Sequence, residues 1–144
     1  MLNKNKIKLF LVDDDPLFLK SLEIEFRAHD YIYIETYPTG ELCINNLSKK
    51  PDVIILDYHL DGIIKGSLNV IETLDKIKAI NPEIPVVVLS SQDKIEVAIN
   101  CMHHQAFEYV VKSETAFLRL QNTIAMIFQQ KLLENKLSWY MDRM

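Results

Sequence analysis

Two periodicities alternate along the chain. Five short runs are dense in β-branched, aliphatic and aromatic residues: "IKLFLV" (7–12), "YIYIETY" (31–37), "DVIILD" (52–57), "PVVVLS" (85–90) and "FEYVVK" (107–112). The first, third and fourth are nearly continuous Ile, Val and Leu, as central parallel strands covered on both faces require. The second alternates apolar with polar and reads as an edge strand. Between the runs the apolar spacing lengthens to that of helices. "PLFLKSLEIEFRAH" places Leu19, Leu22 and Phe26 on one face, and "GELCINNL" follows the turn residues Pro38 and Thr39. "LNVIETLDKIKAI" groups Val70, Ile71, Leu74 and Ile77 and is stopped by "NPEIP". "KIEVAINCMHH" groups Ile95, Ile99 and Met102, and the longest pattern carries Phe117, Leu120, Ile124 and Ile127 on through Leu132. Strict strand–helix alternation predicts an α/β doubly wound five-stranded parallel sheet, (βα)5. If the strand order is 2-1-3-4-5, the flavodoxin-like arrangement, strands 1 and 3 are neighbours at the switch point.

In such a sheet ligands bind at the carboxyl ends of the strands, where the strand order reverses. The polar residues gather there. Strand 1 ends in Asp13 and Asp14, strand 3 in Asp57, strand 4 in Ser90 and Ser91, and strand 5 in Lys112. Three carboxylates, a hydroxyl and an ammonium converge if the predicted order holds. An acidic patch on the surface is the bland reading of "DDD" at 13–15. The location of the other groups at the same end favours a divalent cation instead, because Mg²⁺ takes oxygen ligands and keeps several waters. The triplet itself divides. Asp15 precedes Pro16, and Asp at the N-cap with Pro at the first helical position is a standard helix start. Asp15 is assigned to capping, and Asp13 and Asp14 to the ion.

The totals narrow the classes. The 144 residues suit one domain, and the 49% of apolar residues suffice for one sizeable core. A net charge of −4 gives no electrostatic reason for this segment to bind nucleic acid. No apolar run is long enough to span a membrane, and the basic start "MLNKNKIKLF" lacks a cleavage site. Cys43 and Cys101 have no metal-site spacing and read as reduced, partly buried thiols, which predicts a cytoplasmic location. His29, His103 and His104 fall at helix ends, where partial positive charge suits the dipole; no spacing supports zinc.

The ordered motifs "LVDDDP", "DVIILD", "VVVLSS" and "YVVK" resemble those of response-regulator receiver domains of the two-component, chemotaxis-regulator type, over roughly residues 6 to 130. The resemblance implies a phosphorylation-activated switch. Asp57 would be the phosphoacceptor. Asp14 would bind Mg²⁺ directly (Mn²⁺ being a workable substitute), Asp13 would assist through water, and Asp57 and the backbone carbonyl of His59 would complete the protein ligands. Ser90 would bond a phosphoryl oxygen, Lys112 would pair with Asp57 and then with the phosphate, and Tyr109 would be the aromatic switch. The implied partner is a sensor histidine kinase or a histidine phosphotransfer protein. The implied output is a change in the face made by helix 4, strand 5 and helix 5, which with the C-terminal helix is a candidate homodimer surface. No nucleic-acid or membrane contact is expected, and no catalysis beyond the domain's own phosphorylation and dephosphorylation.

The sequence departs from the family in two places. Ser113 stands where the family usually has a proline after the lysine, which opens the question of the peptide geometry there. The loop "YHLDGIIKGSLNV" lacks the usual proline, is roughly two residues longer and carries Gly62 and Gly66, which predicts mobility. His59 and Gln92 occupy positions that tend to tune phosphate lifetime in the family. The expected division is a receiver domain over 1–130 and a helical extension or linker over 131–144. The tail with Trp139, Tyr140, Met141 and Met144 has two readings: a frayed end packed back on the domain, or the start of a linker or dimer helix. The chain would be a stand-alone receiver or the N-terminal part of a transcriptional regulator. Two other functions compete. One is a Mg²⁺-dependent haloacid-dehalogenase-like phosphatase, with Asp13 as nucleophile and Asp15 as acid–base. The other is a receiver-like interaction module that is never phosphorylated.

Overall fold

The structure, a computed structural model, describes residues 6–59 and 68–143. The strands are β1 (Ile7–Val12), β2 (Ile32–Tyr37), β3 (Val53–Asp57), β4 (Val86–Ser90) and β5 (Glu108–Val111). The helices are α1 (Pro16–Arg27), α2 (Gly40–Asn45), α3 (Val70–Ile80), α4 (Ile95–His103) and α5 (Ala116–Met141), with a 3-10 turn at Leu47–Lys49. All strand pairs are parallel and the order is β2-β1-β3-β4-β5. This is the doubly wound sheet that the periodicity predicts, with the order reversing between β1 and β3. Residues 60–67 of the longer loop, with Gly62 and Gly66, lie outside the described residues, as does Met144.

The sheet has a core on each side because successive strand side chains point to opposite faces. Ile7, Leu9 and Leu11 of β1 pack with Leu22 and Phe26 of α1 and with Leu120, Ile124 and Ile127 of α5. Phe10 and Val12 face the other way, against Cys43 of α2, Leu74 and Ile77 of α3 and Cys101 of α4. Both cysteines are buried and unpaired. β2 lies at the edge, with its outward positions in part solvated.

Helix starts follow local chemistry. Asp15 caps α1, its Oδ1 accepting from the backbone N–H groups of Leu17 and Phe18 at 3.0 and 3.4 Å, with Pro16 in the first turn. Asn69 and Glu72 form a reciprocal capping box at α3, a signal present in the sequence as Asn-x-x-Glu. Asp15→Ala is expected to lower stability by about 1 kcal/mol, seen as a lower midpoint in thermal unfolding. An unchanged midpoint would remove the cap from the account of why α1 begins where it does.

Two helices differ from simple expectation. On α4 the apolar stripe faces outward: Ile95 is 71% exposed, and Ile99 and Met102 are about half exposed. Cys101 is buried and Val97 and Ala98 are half-buried. The helix is thus rotated so that Cys101 faces the core while Ile95, Ile99 and Met102 face solvent. α5 runs as one helix to Met141. Its last buried residue is Ile127. Lys131 then pins it to the amino end of the sheet, with Nζ 3.0 Å from Asp52 Oδ2 and 3.1 Å from the Lys6 carbonyl. Trp139 is helical and half exposed, with Arg143 stacked on its ring, so the reading of a frayed end packed back on the domain does not hold.

Candidate functional site

Strand register assembles the site. Val12 pairs with Leu56, so Asp13 sits beside Asp57 one step beyond each strand pairing; Asp57 pairs with Leu89, which puts Ser90 one step further along. Ser90 pairs with Val111, and its carbonyl accepts the Lys112 N–H at 2.7 Å. Parallel pairing with this register therefore brings to one end of the sheet groups that lie far apart in the chain, from Asp13 to Lys112.

The carboxylates of Asp13, Asp14 and Asp57 each offer an oxygen within 4.8 Å of the others. Asp13 and Asp57 are each only 3% exposed, and Asp14 is half-buried. Lys112 Nζ lies 2.9 Å from Asp57 Oδ1 and 3.9 Å from Asp13 Oδ2. It is the one cation in ion-pair reach of these two carboxylates among the described residues. The Lys112–Asp57 approach is close but falls outside hydrogen-bond geometry, so Asp57 Oδ1 and Asp13 Oδ2 are buried oxygens without a hydrogen bond. Burial pushes the Asp13 carboxyl up to about 7. The Asp15 N–H, donated to Asp13 Oδ1 at 2.9 Å, offsets part of this, Asp57 adds to it, Lys112 opposes it and Asp14 adds a little more. Buried carboxylate oxygens without a hydrogen bond, clustered from three aspartates, are the donor set that a hard dication takes.

The β4 and β5 ends are linked behind this cluster. Ser90 is fully buried, and its Oγ accepts the Gln92 N–H at 2.9 Å. Tyr109 donates its hydroxyl to the Gln92 carbonyl at 2.6 Å, and its ring packs against the core on the α2–α4 side. Burial raises the Tyr109 phenol, which the Ser90 hydroxyl partly offsets. Gln92 thus bridges the hydroxyl and the aromatic residue through its backbone, a role its side-chain type does not advertise. Peptide bonds among the described residues are all trans, Lys112–Ser113 included, and Lys112 still reaches Asp57. His59 lies exposed two residues past Asp57, its ring edge-on to Tyr58. His104 Nδ1 meets Asp75 Oδ1 at 2.7 Å, away from the site.

Asp15 is exposed and occupied in capping, outside the carboxylate cluster. The Asp13–Asp15 pair therefore lacks the shared facing that the phosphatase reading needs. Sequence reasoning missed Phe18, whose ring lies beneath the Lys112 ammonium. No pattern in the sequence signals that contact.

The family model described as the response regulator receiver domain matches residues 9–124. The chain is 34% identical over 116 residues to a protein-glutamate methylesterase/protein-glutamine glutaminase of Clostridium acetobutylicum, covering 78% of this chain and 32% of that protein. It is 27% identical over 121 residues to the transcriptional regulatory protein ZraR of Salmonella typhimurium, covering 84% of this chain and 26% of that protein. The chain thus spans between a quarter and a third of the length of these relatives. Among solved structures, the receiver domain of the Francisella response regulator 1452 superimposes with a TM-score of 0.73 at 21% identity, covering 87% of this chain and 98% of that one, a likeness of fold.

Proposed function

Because this chain belongs to the response regulator receiver-domain family, we propose that Asp57 is its phosphoacceptor and that the cluster around it is the phosphorylation site. Receiver domains are signalling domains served by histidine kinases or phosphotransfer proteins. The phosphatase alternative is not favoured. The observation that carries the reading is the register-built cluster of Asp13, Asp14 and Asp57 with Lys112 against it. An Asp57 carboxylate oxygen attacks the phosphorus of a phosphohistidine, the P–N bond breaks, and the imidazole leaves with the bonding pair and takes up a proton. Asp13, Asp14, Asp57 and the His59 carbonyl would hold Mg²⁺, or Mn²⁺ in its place. The ion supplies charge neutralisation for the phosphoryl oxygens. Lys112 shifts from the Asp57 carboxylate to a phosphoryl oxygen, and Ser90 donates its hydroxyl to another. Movement of Ser90 disturbs Gln92 and hence the Tyr109 hydroxyl, which shifts the population of the α4–β5–α5 face. The exposed stripe of Ile95, Ile99 and Met102 supports that face as the output surface.

The segment's own chemistry is gaining and losing a phosphate, with no further enzymatic activity and no direct contact with nucleic acid or membrane. No helix among the described residues is long and apolar enough to cross a membrane. The free Cys43 and Cys101 support a cytoplasmic location. We divide the chain into a receiver domain to residue 130 and a helical extension over 131–144, since burial along α5 ends at Ile127. Met126, Leu133, Leu137 and Tyr140 are exposed on α5 at spacings of a coiled-coil seam, which supports a homodimer through this helix over one through the α4–β5–α5 face. Leu133→Glu combined with Leu137→Glu is expected to leave a monomer in sedimentation with phosphate uptake unchanged. A native chain that sediments as a monomer at all concentrations would remove the dimer. The function itself is tested by phosphate uptake from acetyl phosphate, with Mg²⁺ present and chelated. One metal-dependent phosphate per chain is expected. Failure to bind both phosphate and a beryllium-fluoride mimic would leave the interaction module as the reading.

A further inference from the structure

Lys112 is held from two sides. Its Nζ lies 2.9 Å from Asp57 Oδ1 and 4.2 Å from the centroid of the Phe18 ring. The second distance is well inside the range over which a ring face attracts an ammonium. We propose that Phe18 is a positioning residue for phosphoryl transfer, its ring face holding the Lys112 ammonium against the Asp57 carboxylate. This rests on Asp57 being the phosphoacceptor, but the contact between ring and ammonium can be tested without that assumption.

A lysine has a flexible stem and no fork to fix its direction. Here it has two carboxylates to choose from, Asp57 at 2.9 Å and Asp13 at 3.9 Å. A neutral ring orients the ammonium without cancelling its charge, so the full positive charge stays available for the phosphoryl oxygen. A carboxylate in the same place would neutralise it, and an aliphatic side chain would leave it to the two carboxylates alone. The ring is well anchored for this. Phe18 packs on the core between α1 and α5 and, with Leu89, Lys112, Ser113 and Ala116, lines a cleft of about 290 Å³ there. Its backbone N–H and that of Leu17 are capped by Asp15. The third aspartate of the acidic triplet therefore sets the turn that carries the ring, while the first two cluster with Asp57.

The test compares Phe18→Leu, Phe18→Tyr and Phe18→Trp in phosphate uptake from acetyl phosphate, a donor that needs no docking surface. Phe18→Leu keeps apolar bulk and is expected to slow uptake about 3- to 10-fold. Phe18→Tyr and Phe18→Trp are expected to stay within about twofold of the native rate, because they keep a ring face. In parallel, the Lys112 ε-methylene protons of the unphosphorylated chain should show an upfield ring-current shift by NMR, lost in Phe18→Leu and kept in Phe18→Tyr. A native rate for Phe18→Leu, or Tyr and Trp variants as slow as Leu, would overturn the proposal. So would Lys112 resonances that ignore the substitution. If the native chain takes up no phosphate, it is the phosphoacceptor reading that falls, and the methylene shift still decides the contact.

Discussion

Asp57→Asn is expected to carry no phosphate after mixing with acetyl phosphate and Mg²⁺, where the native chain carries one, as read by intact mass. The amide has nearly the shape of the carboxylate but no anionic oxygen to attack phosphorus. The effect is therefore a complete loss and not a slowing. The fold should survive, because the substitution removes one of three clustered negative charges, and Lys112 is the one cation in ion-pair reach of Asp13 and Asp57 among the described residues. Chelating the metal should abolish uptake by the native chain as well, since phosphoryl transfer needs the dication's charge on the phosphoryl oxygens. A phosphate that persists on Asp57→Asn would move the acceptor elsewhere. If Asp13 then proved essential for turnover, the phosphatase chemistry would replace the switch.

Asp13→Asn is expected to act in opposite directions on stability and on metal binding. The Asp13 carboxyl is pushed up to about 7, mainly by burial, from an ordinary value near 3.8. Between those values the folded state holds a proton that the unfolded state has released. Stability from this group is thus fully present below about 3.8 and is lost as pH rises through about 7. In metal-free protein at pH 8 the buried anion destabilises the fold, and Asp13→Asn should recover on the order of 2 kcal/mol. Thermal unfolding at pH 5.5 and pH 8 in chelator checks the sign: the native chain should lose more stability than the variant on going to the higher pH. With Mg²⁺ the order should reverse. The ion stabilises the native chain by mass action, while the variant, lacking a charged ligand, should bind it at least about tenfold more weakly. Parallel pH profiles for the two proteins would exclude Asp13 as the titrating group.

The division of the acidic triplet is legible in the chain itself. Asp15 next to Pro16 is a helix start, and the structure finds it capping α1 while Asp13 and Asp14 join Asp57. The orientation of α4 is less legible. Ile95, Ile99 and Met102 have the spacing of a buried stripe, yet they face solvent. Periodicity reports that a stripe exists and not which way the helix is rotated. The tertiary packing decides that, turning Cys101 into the core. The same limit applies to α5, whose apolar pattern runs on unbroken while its burial ends at Ile127.

The sequence by itself determined the elements, their order and the residues at the strand ends. Those depend on hydrophobic period and on turn and cap chemistry, which act over a few neighbouring positions. It also carried the acidic cluster, because carboxylates at the ends of neighbouring central parallel strands meet at the carboxyl end of the sheet. Tertiary structure alone decided the displaced proton affinity of Asp13, the backbone bridge of Gln92 between Ser90 and Tyr109, and the hold of Phe18 on Lys112. Each depends on distances of a few ångströms between segments far apart in the chain. Desolvation, ion pairing and ring–cation attraction change steeply over such distances, and no local pattern encodes them.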